Sequence, residues 1–457
     1  MPFIPHTPED IKTMLATIGI SSIEQLLDEI PKDLPKAALT HVPPGLNEQA
    51  VSRLLRSREP HLKLGTCFIG AGAYEHYIPA AVWEIATRGE FYTAYTPYQA
   101  EASQGSLQLI YEYQSMMCAL MGMEVSNASL YDGATALAEA ALMAVRIQRG
   151  KAKRILVPAT VHPAYRRVMQ TILSQQQIAI ETVPYNPQHG VTDFAALKNT
   201  HSTDLAALVI PQPNFFGCLE DVDTLTDWAH AHHLATIACV NPTAMALLKE
   251  PGAWGETGAD IVCGEGQPLG VPLASGGPYF GLMCCKKTHV RQLPGRIVGR
   301  TTDAAGRVGF TLTLQAREQH IRRAKATSNI CTNQGLVVVA ASIYLSLLGA
   351  TGLREVALAS HRKTRDLYQQ LLMIKGVTPV FTYPIFHEFA IRLNTSVDHV
   401  QSLMAEQGIE AGYSLKNDYP ELGECLLICV TETKTDTDLA RYATLLNASL
   451  NEKQSQQ

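Results

Sequence analysis

The sequence predicts an α/β fold: a mostly parallel sheet covered by helices, followed by a smaller α+β domain. Three observations carry this reading. Between about 61 and 325, short apolar runs alternate with helix-length spacers: "RILVPA" (154–159), "IAIETVPY" (178–185), "LAALVIPQP" (205–213), "ATIACV" (235–240) and "ADIVCG" (259–264). These runs are apolar nearly throughout rather than alternating, as in parallel strands buried on both faces. Beyond about 330 the alternation stops, and a long apolar helix leads into closely spaced strand-like runs. With 457 residues, the chain can bury a large core and form two or three domains.

Taken in order, residues 1–60 form a helical arm. Thr7-Pro8-Glu9-Asp10 supplies a cap, a proline for the first turn and early acids, and Ser22 precedes a second start. "IPKDLPKAALTHVPPG" is punctuated by proline and has little core of its own, so the arm is expected to lie across the main body or a partner. The large domain, 61–325, contains helix-like segments at 104–121 and 134–149. The small domain, 326–457, opens with "GLVVVAASIYLSLLGATGL" (335–353), uncharged and long enough to consider as a membrane span. Ser342, Tyr344, Ser346 and the closing Gly349-Ala350-Thr351-Gly352 fit a core or interface helix of about four turns instead. "TPVFTYPIFHEFAIRL", "GIEAGYSL" and "CLLICVTETKTDTDLARYATLL" then supply strands and a closing helix.

The net charge of −5 offers no basic surface for nucleic acid, and nothing points to a membrane partner. "MPFIPHTPED" lacks the basic and apolar segments of a signal peptide. The ten cysteines follow no metal spacing, so reduced thiols and a cytoplasmic location are expected. The sequons at Asn127 and Asn447 are then chance matches.

Much catalytic chemistry is missing. "GAGAYEH" and "GEGQPLG" miss the dinucleotide spacing, and there is no P-loop. Ser275 lacks the flanking glycine of a nucleophile elbow. His230 and His233 could share a helix face, but no acidic ligand stands beside them; a solvated face is the reading, and no metal is expected. What remains is a spread constellation. In "LYDGATALAEAALMA", Gly133, Ala134 and Thr135 sit at a helix start, where free N–H groups and the helix dipole favour an anion. A small-residue helix cap is the plain alternative. Gln212-Pro213-Asn214, "ACVNPTAMALLK" and "GADIVCGEGQPLG" follow at successive strand ends.

This order resembles the aminotransferase-type (fold type I) pyridoxal-phosphate enzymes. More narrowly, "EFYTAYTPYQAEASQGSLQLIYEYQSMMCALMGMEVSNASLYDGATALAEA", "GADIVCGEGQPLGVPLASGGPYFG" and "GRIVGRTTDAAGRVGFTLTLQAREQHIRRAKATSNICTNQG" resemble the glycine decarboxylase P-protein family of the glycine cleavage system. The likeness is to its N-terminal half, a separate subunit 1 in two-subunit versions, and covers nearly the whole chain. In the catalytic half of that family, a lysine follows the "GAD" strand and an aspartate faces the pyridine nitrogen. Here Gln267-Pro268 occupies the loop, with Pro268 at the lysine position and Asn241 at the aspartate position. Proline has no amine, and a neutral amide cannot stabilise a pyridinium. Lys249, Lys286 and Lys287 sit on no strand-end loop and read as solvated lysines.

The resemblance therefore implies a chain with no catalytic residue of its own. A partner, subunit 2, would bind pyridoxal 5'-phosphate covalently, in a heterodimer or an α2β2 heterotetramer. Glycine would be decarboxylated, and its aminomethyl group passed to the lipoyl group of the carrier H-protein. Gly133, Ala134 and Thr135 become a remnant phosphate loop. This chain would supply one wall of an interface site, from Tyr95, Thr96, Tyr98, Gln99, Glu101 and Gln104, with Arg317 and Asn329 as further candidates. Thr332 and Asn329 also read as plain helix caps. Two rivals stand beside this: a non-catalytic scaffold or regulatory protein on a degenerate fold, and an independent pyridoxal enzyme using an unexpected lysine.

Overall fold

A computed structural model describes residues 5–34, 40–58, 65–92, 94–200, 203–274 and 276–451. Ser275 and the tail 452–457 lie outside the described residues. The chain divides into two units, Met1–Lys63 and Leu64–Gln457. In the first, Thr7 and Asp10 exchange hydrogen bonds as a capping box on helix Pro8–Ile18, with Pro8 in its first turn. Gly19, at φ +87°, ends the helix in the left-handed region. Ser22 opens a 3-10 turn, Ile23–Leu27, rather than an α-helix; its side chain makes no capping bond. Helix Glu48–Arg58 follows, and none of the three elements buries a residue. Met14, Ile18, Leu26 and Leu55 all remain exposed.

In the second unit, seven strands form the main sheet: β1 (Val125–Ser126), β2 (Arg154–Pro158), β3 (Ala179–Val183), β4 (Leu205–Gln212), β5 (Ala235–Val240), β6 (Ile261–Glu265) and β7 (Gly281–Cys285). Their order is β1-β7-β6-β5-β4-β2-β3. The run from β6 to β3 is parallel; β7 and β1 add an antiparallel edge. Every residue of β4 is buried. Leu208 and Ile210 join Ala238, Val240 and Leu282 on one face, while Ala207 and Val209 join Ile155, Ile237 and Met283 on the other. Two covered faces explain why the strands read as continuous apolar runs.

Helix α1 (Gln104–Met121) covers the first face through Tyr113, Met117 and Met121. Helix α2 (Gly133–Ile147) covers the second with Ala136, Ala140, Ala141 and Ala144, whose short side chains allow close approach. Strands β8 (Ile297–Thr302) and β9 (Val308–Thr313) form a hairpin. Helix α3 runs from Gly335 to Leu372, about twice the length expected, with non-helical backbone at Gly349. Its second half continues because the charged stretch after Leu353 is made of good helix formers, which an apolar-run reading passes over. Val337–Ala341 and Tyr344 pack in the core, so the one helix long and apolar enough to span a membrane, among the described residues, has a core face.

The smaller sheet holds β10 (Val377–Pro379), β11 (Glu388–Leu393), β12 (Tyr413–Ser414) and β13 (Cys425–Cys429), all antiparallel, in the order β10-β11-β13-β12. Phe389, Ile391, Leu426 and Ile428 pack there on Leu367 and Leu371 of α3 and on Leu439 and Tyr442 of the last helix, Asp436–Asn451.

Candidate functional site

The carboxyl ends of β2, β4, β5 and β6 converge, as ligand crevices of open α/β sheets do. Val161, His162, Pro213, Asn214, Asn241 and Glu265 line the cavity there, with Gly72 and Tyr74 above them. Its volume is only about 70 Å³, well below the ~300–1,000 Å³ of ordinary ligand pockets. No lysine lines it.

The polar groups at these strand ends are turned onto the chain itself. Gly133 N–H donates to Glu265 Oε2 at 2.9 Å, and Gln267 N–H donates to Glu265 Oε1 at 3.0 Å. Asp132 caps α2, accepting from Thr135 N–H at 2.7 Å. Burial pushes the Glu265 carboxyl up to about 7, against the pull of the N–H groups it accepts from. Ala134 is buried behind them. A Cβ on Gly133 would collide with the Tyr165 hydroxyl and come within 2.7 Å of Glu265 N, so this helix start is packed directly on the end of β6.

Gln267 is 1% exposed. Its Oε1 accepts from Tyr74 N–H, and its Nε2 donates to the carbonyls of Tyr74 and Val271, all at 2.8 Å. The buried Pro268 follows it. Asn241 Oδ1 accepts from Ala244 N–H at 3.1 Å, and its Nδ2 lies 3.3 Å from His387 Nε2. Asn214 and Gln212 are committed likewise to backbone groups and to the buried Glu220. The His162 ring stacks on Tyr165 and uses both nitrogens, one on Ala71 O and one on Ala164 N–H. Below it, Glu388 accepts from Ala71 N–H and the Tyr74 hydroxyl, and burial raises its carboxyl to about 7.

These residues do not fit pyridoxal phosphate. There is no amine, no carboxylate at the Asn241 position, and the N–H groups of Gly133 and Thr135 are already bonded to carboxylates. The candidate lysines are held elsewhere: Lys249 on Asp223 at 2.8 Å, and Lys286 on Asp260 at 2.7 Å. Lys286 is half-buried, not solvated, because Asp260 draws it in. The same aspartate takes His230 Nε2 at 3.0 Å, while His230 Nδ1 meets Thr257. His230 is thus a half-buried partner of the "GAD" aspartate rather than part of a solvated face. Burial works against Asp260 ionising, but the bonds from His230, Lys286 and Thr236 N–H outweigh it and hold the carboxyl below its usual range. Among the described residues no group of His, Cys, Asp or Glu is placed to hold a metal.

The other candidates divide. Tyr98, Asn329, His320, Ser328 and Cys331 line an open pocket of about 660 Å³. Tyr95, Pro97, Thr332 and Asn333 line another of about 470 Å³. Tyr95 is 82% exposed and Tyr98 51%. Gln99 and Glu101 are exposed beside them, and Thr96 is half-buried with its carbonyl on Tyr98 N–H. Gln104 instead clamps the hairpin, exchanging bonds with both backbone groups of Phe310. Arg317 braces the carbonyls of Leu293 and Gly295.

Sequence reasoning missed Glu265, Glu388 and Arg296. The first two were readable as acids within apolar runs, where a buried carboxylate must find donors. Arg296 is 2% exposed and donates to Thr332 Oγ1, Asn333 Oδ1 and Cys331 O at 2.8–3.1 Å, with its guanidinium 5.8 Å from the Tyr98 ring centre. It ties the two pocket-lining segments together; nothing local in "GRIVG" marked it.

The fold is that of the fold type I pyridoxal-phosphate enzymes, with a small cavity lined by no lysine at the carboxyl ends of its strands. The family model of the glycine cleavage system P-protein matches residues 1–446. A Coxiella burnetii protein named probable glycine dehydrogenase (decarboxylating) subunit 1 is 72% identical over 98% of this chain and 100% of its own length. One of the same name from Thioalkalivibrio sulfidiphilus is 61% identical, with 98% and 100% covered. A crystal structure of glycine decarboxylase (P-protein) of the glycine cleavage system, in inhibitor-bound form, superposes with a TM-score of 0.85 at 40% identity, covering 98% of this chain and all of that one. The chain belongs to the glycine cleavage system P-protein family. A Burkholderia pseudomallei sphingosine-1-phosphate lyase, 16% identical with a TM-score of 0.65 and 93% and 94% covered, shares the fold alone.

Proposed function

We propose that this chain is the non-catalytic subunit 1 of a two-subunit glycine dehydrogenase (decarboxylating). In this reading a partner subunit 2 holds pyridoxal phosphate covalently, and the assembled enzyme decarboxylates glycine. The aminomethyl group passes to the lipoyl group of an H-protein. The observation that carries the reading is a small cavity, lined by no lysine, at the strand ends of a chain 72% identical over 98% of its length to a protein named as such a subunit. The lysine, the acid for the ring nitrogen and the cofactor then have to come from the partner.

What this chain contributes is a wall. Tyr95 and Tyr98 carry phenols on an open surface, where they orient a small substrate or a lipoyl arm by hydrogen bonds and exclude water once covered. Arg296 fixes the Cys331–Asn333 segment against Tyr98. Ten free cysteines, most of them buried or half-buried, suit a reducing cytoplasm.

The test is glycine-dependent CO2 exchange with a lipoyl carrier, for this chain alone and mixed with subunit 2, recording pyridoxal absorbance throughout. Exchange and colour only in the mixture is the expected result. Exchange, or an imine band, from this chain alone overturns the reading.

A further inference from the structure

Loss of the lysine removes only covalent attachment. A phosphate cradle without lysine still binds phosphate, because the donors are backbone N–H groups and the positive end of a helix. In this chain that cradle is the start of α2, and a carboxylate already stands in it. Glu265 Oε2 lies 2.9 Å from Gly133 N and Oε1 lies 3.0 Å from Gln267 N. The side chain comes from the end of β6, a strand buried along its whole length. Asp132 takes the Thr135 N–H, which places a second carboxylate at the same helix start. An acid on a fully buried strand is costly unless its oxygens are matched by donors, and the donors here are those a phosphoryl group would use.

We propose that Glu265 is an internal ligand: its carboxylate takes the phosphoryl position of the fold, so the chain accepts no free oxyanion there, and removing that carboxylate turns the cradle into a phosphate site. On this proposal Glu265 keeps a non-covalent phosphate group out, whatever Pro268 does to covalent attachment. The chain neither stores nor competes for the cofactor of an assembled enzyme. The inference rests on the fold and this contact alone. It needs no partner and no glycine chemistry, so its failure leaves the proposed function where it stands.

The test is equilibrium dialysis of the full-length chain against radiolabelled inorganic phosphate, with thermal melting in phosphate and in chloride. Wild type, Glu265→Ala and Glu265→Ser are compared. At pH 8, above the Glu265 value, wild type is expected to show no saturable binding, whereas the variants bind saturably and gain melting temperature in phosphate only. Two results overturn the proposal: phosphate binding by wild type equal to that of the variants, or a folded variant that binds none. If neither variant folds, titration of wild type with pyridoxal phosphate decides. Saturable binding refutes an internal ligand, and its absence supports one.

Discussion

The strand-end pocket and the surface around Tyr95 and Tyr98 are built from similar residue types in opposite ways. In the pocket, Glu265, Gln267, Asn241 and Asn214 are buried or half-buried and turned onto the chain's own groups. Along the open surface, Tyr95, Tyr98, Gln99, Glu101 and Asn329 are exposed. Their position in the fold would point to the first set as the active site. Their hydrogen-bonding capacity, however, is spent on the chain itself. The lesson is that a site is located by donors and acceptors still available, not by where a fold usually keeps its chemistry.

The harshest way to break this contrast is to restore the missing groups. Pro268→Lys combined with Asn241→Asp puts an amine and a carboxylate at the two positions where the family resemblance expects them. With Glu265 and the 70 Å³ cavity unchanged, no imine band should appear with pyridoxal phosphate. Urea denaturation should show a loss of about 3–5 kcal/mol, the cost of poorly matched buried charge. A yellow, stable double variant would mean that the pocket is open after all.

The pH dependence of stability sharpens the contrast next. Glu388, which props Tyr74 over the pocket, has its carboxyl raised by burial from 4.5 to about 7. A raised acid stabilises the fold fully below its unfolded value and loses that contribution as pH climbs through the folded value. Between pH 4.5 and 7 the loss is roughly 3 kcal/mol. Glu388→Gln keeps the shape and removes the titration. Denaturant melts at pH 5, 6, 7 and 8 should show the variant gaining on wild type up to about pH 7 and levelling off above it; a constant difference would place Glu388 in contact with water.

On the open side the effects should be catalytic instead. Tyr98→Phe should leave melting within about 0.5 kcal/mol of wild type, as for an exposed group. In the complex with subunit 2 it should lower kcat about tenfold, the value of one hydrogen bond made during reaction. Unchanged turnover in an intact complex would remove Tyr98 from the wall.

How much of this was legible in the sequence follows the range of the interactions. The strands β2, β4, β5 and β6 were, because burial on two faces leaves continuous apolar runs, and the start of α2 was, because Asp132 and Thr135 form a local cap. The second half of α3 was not, since its charged residues hide a helix whose buried stripe is set by the small sheet. Nor was the pairing of Glu265 with Gly133, 132 residues away, or of Arg296 with the loop at 331–333. Such contacts are chosen by tertiary packing and leave no local period.

The smallest expected effect separates the two sides most finely. Gln104 reads in sequence as part of the wall, yet its Nε2 reaches Ala100 O at 2.7 Å and Phe310 O at 2.8 Å, and its Oε1 accepts Phe310 N–H at 2.9 Å. All are backbone partners, and two belong to β9, so the side chain pins the β8–β9 hairpin to the start of α1. Because the residue is exposed, water replaces part of what is lost, and Gln104→Ala should cost only about 1 kcal/mol in denaturant melts. The glycine KM and the kcat of the complex should not move. A tenfold fall in kcat with no change in melting would return Gln104 to the wall, and would show that its hydrogen bonds to the hairpin are not its main work.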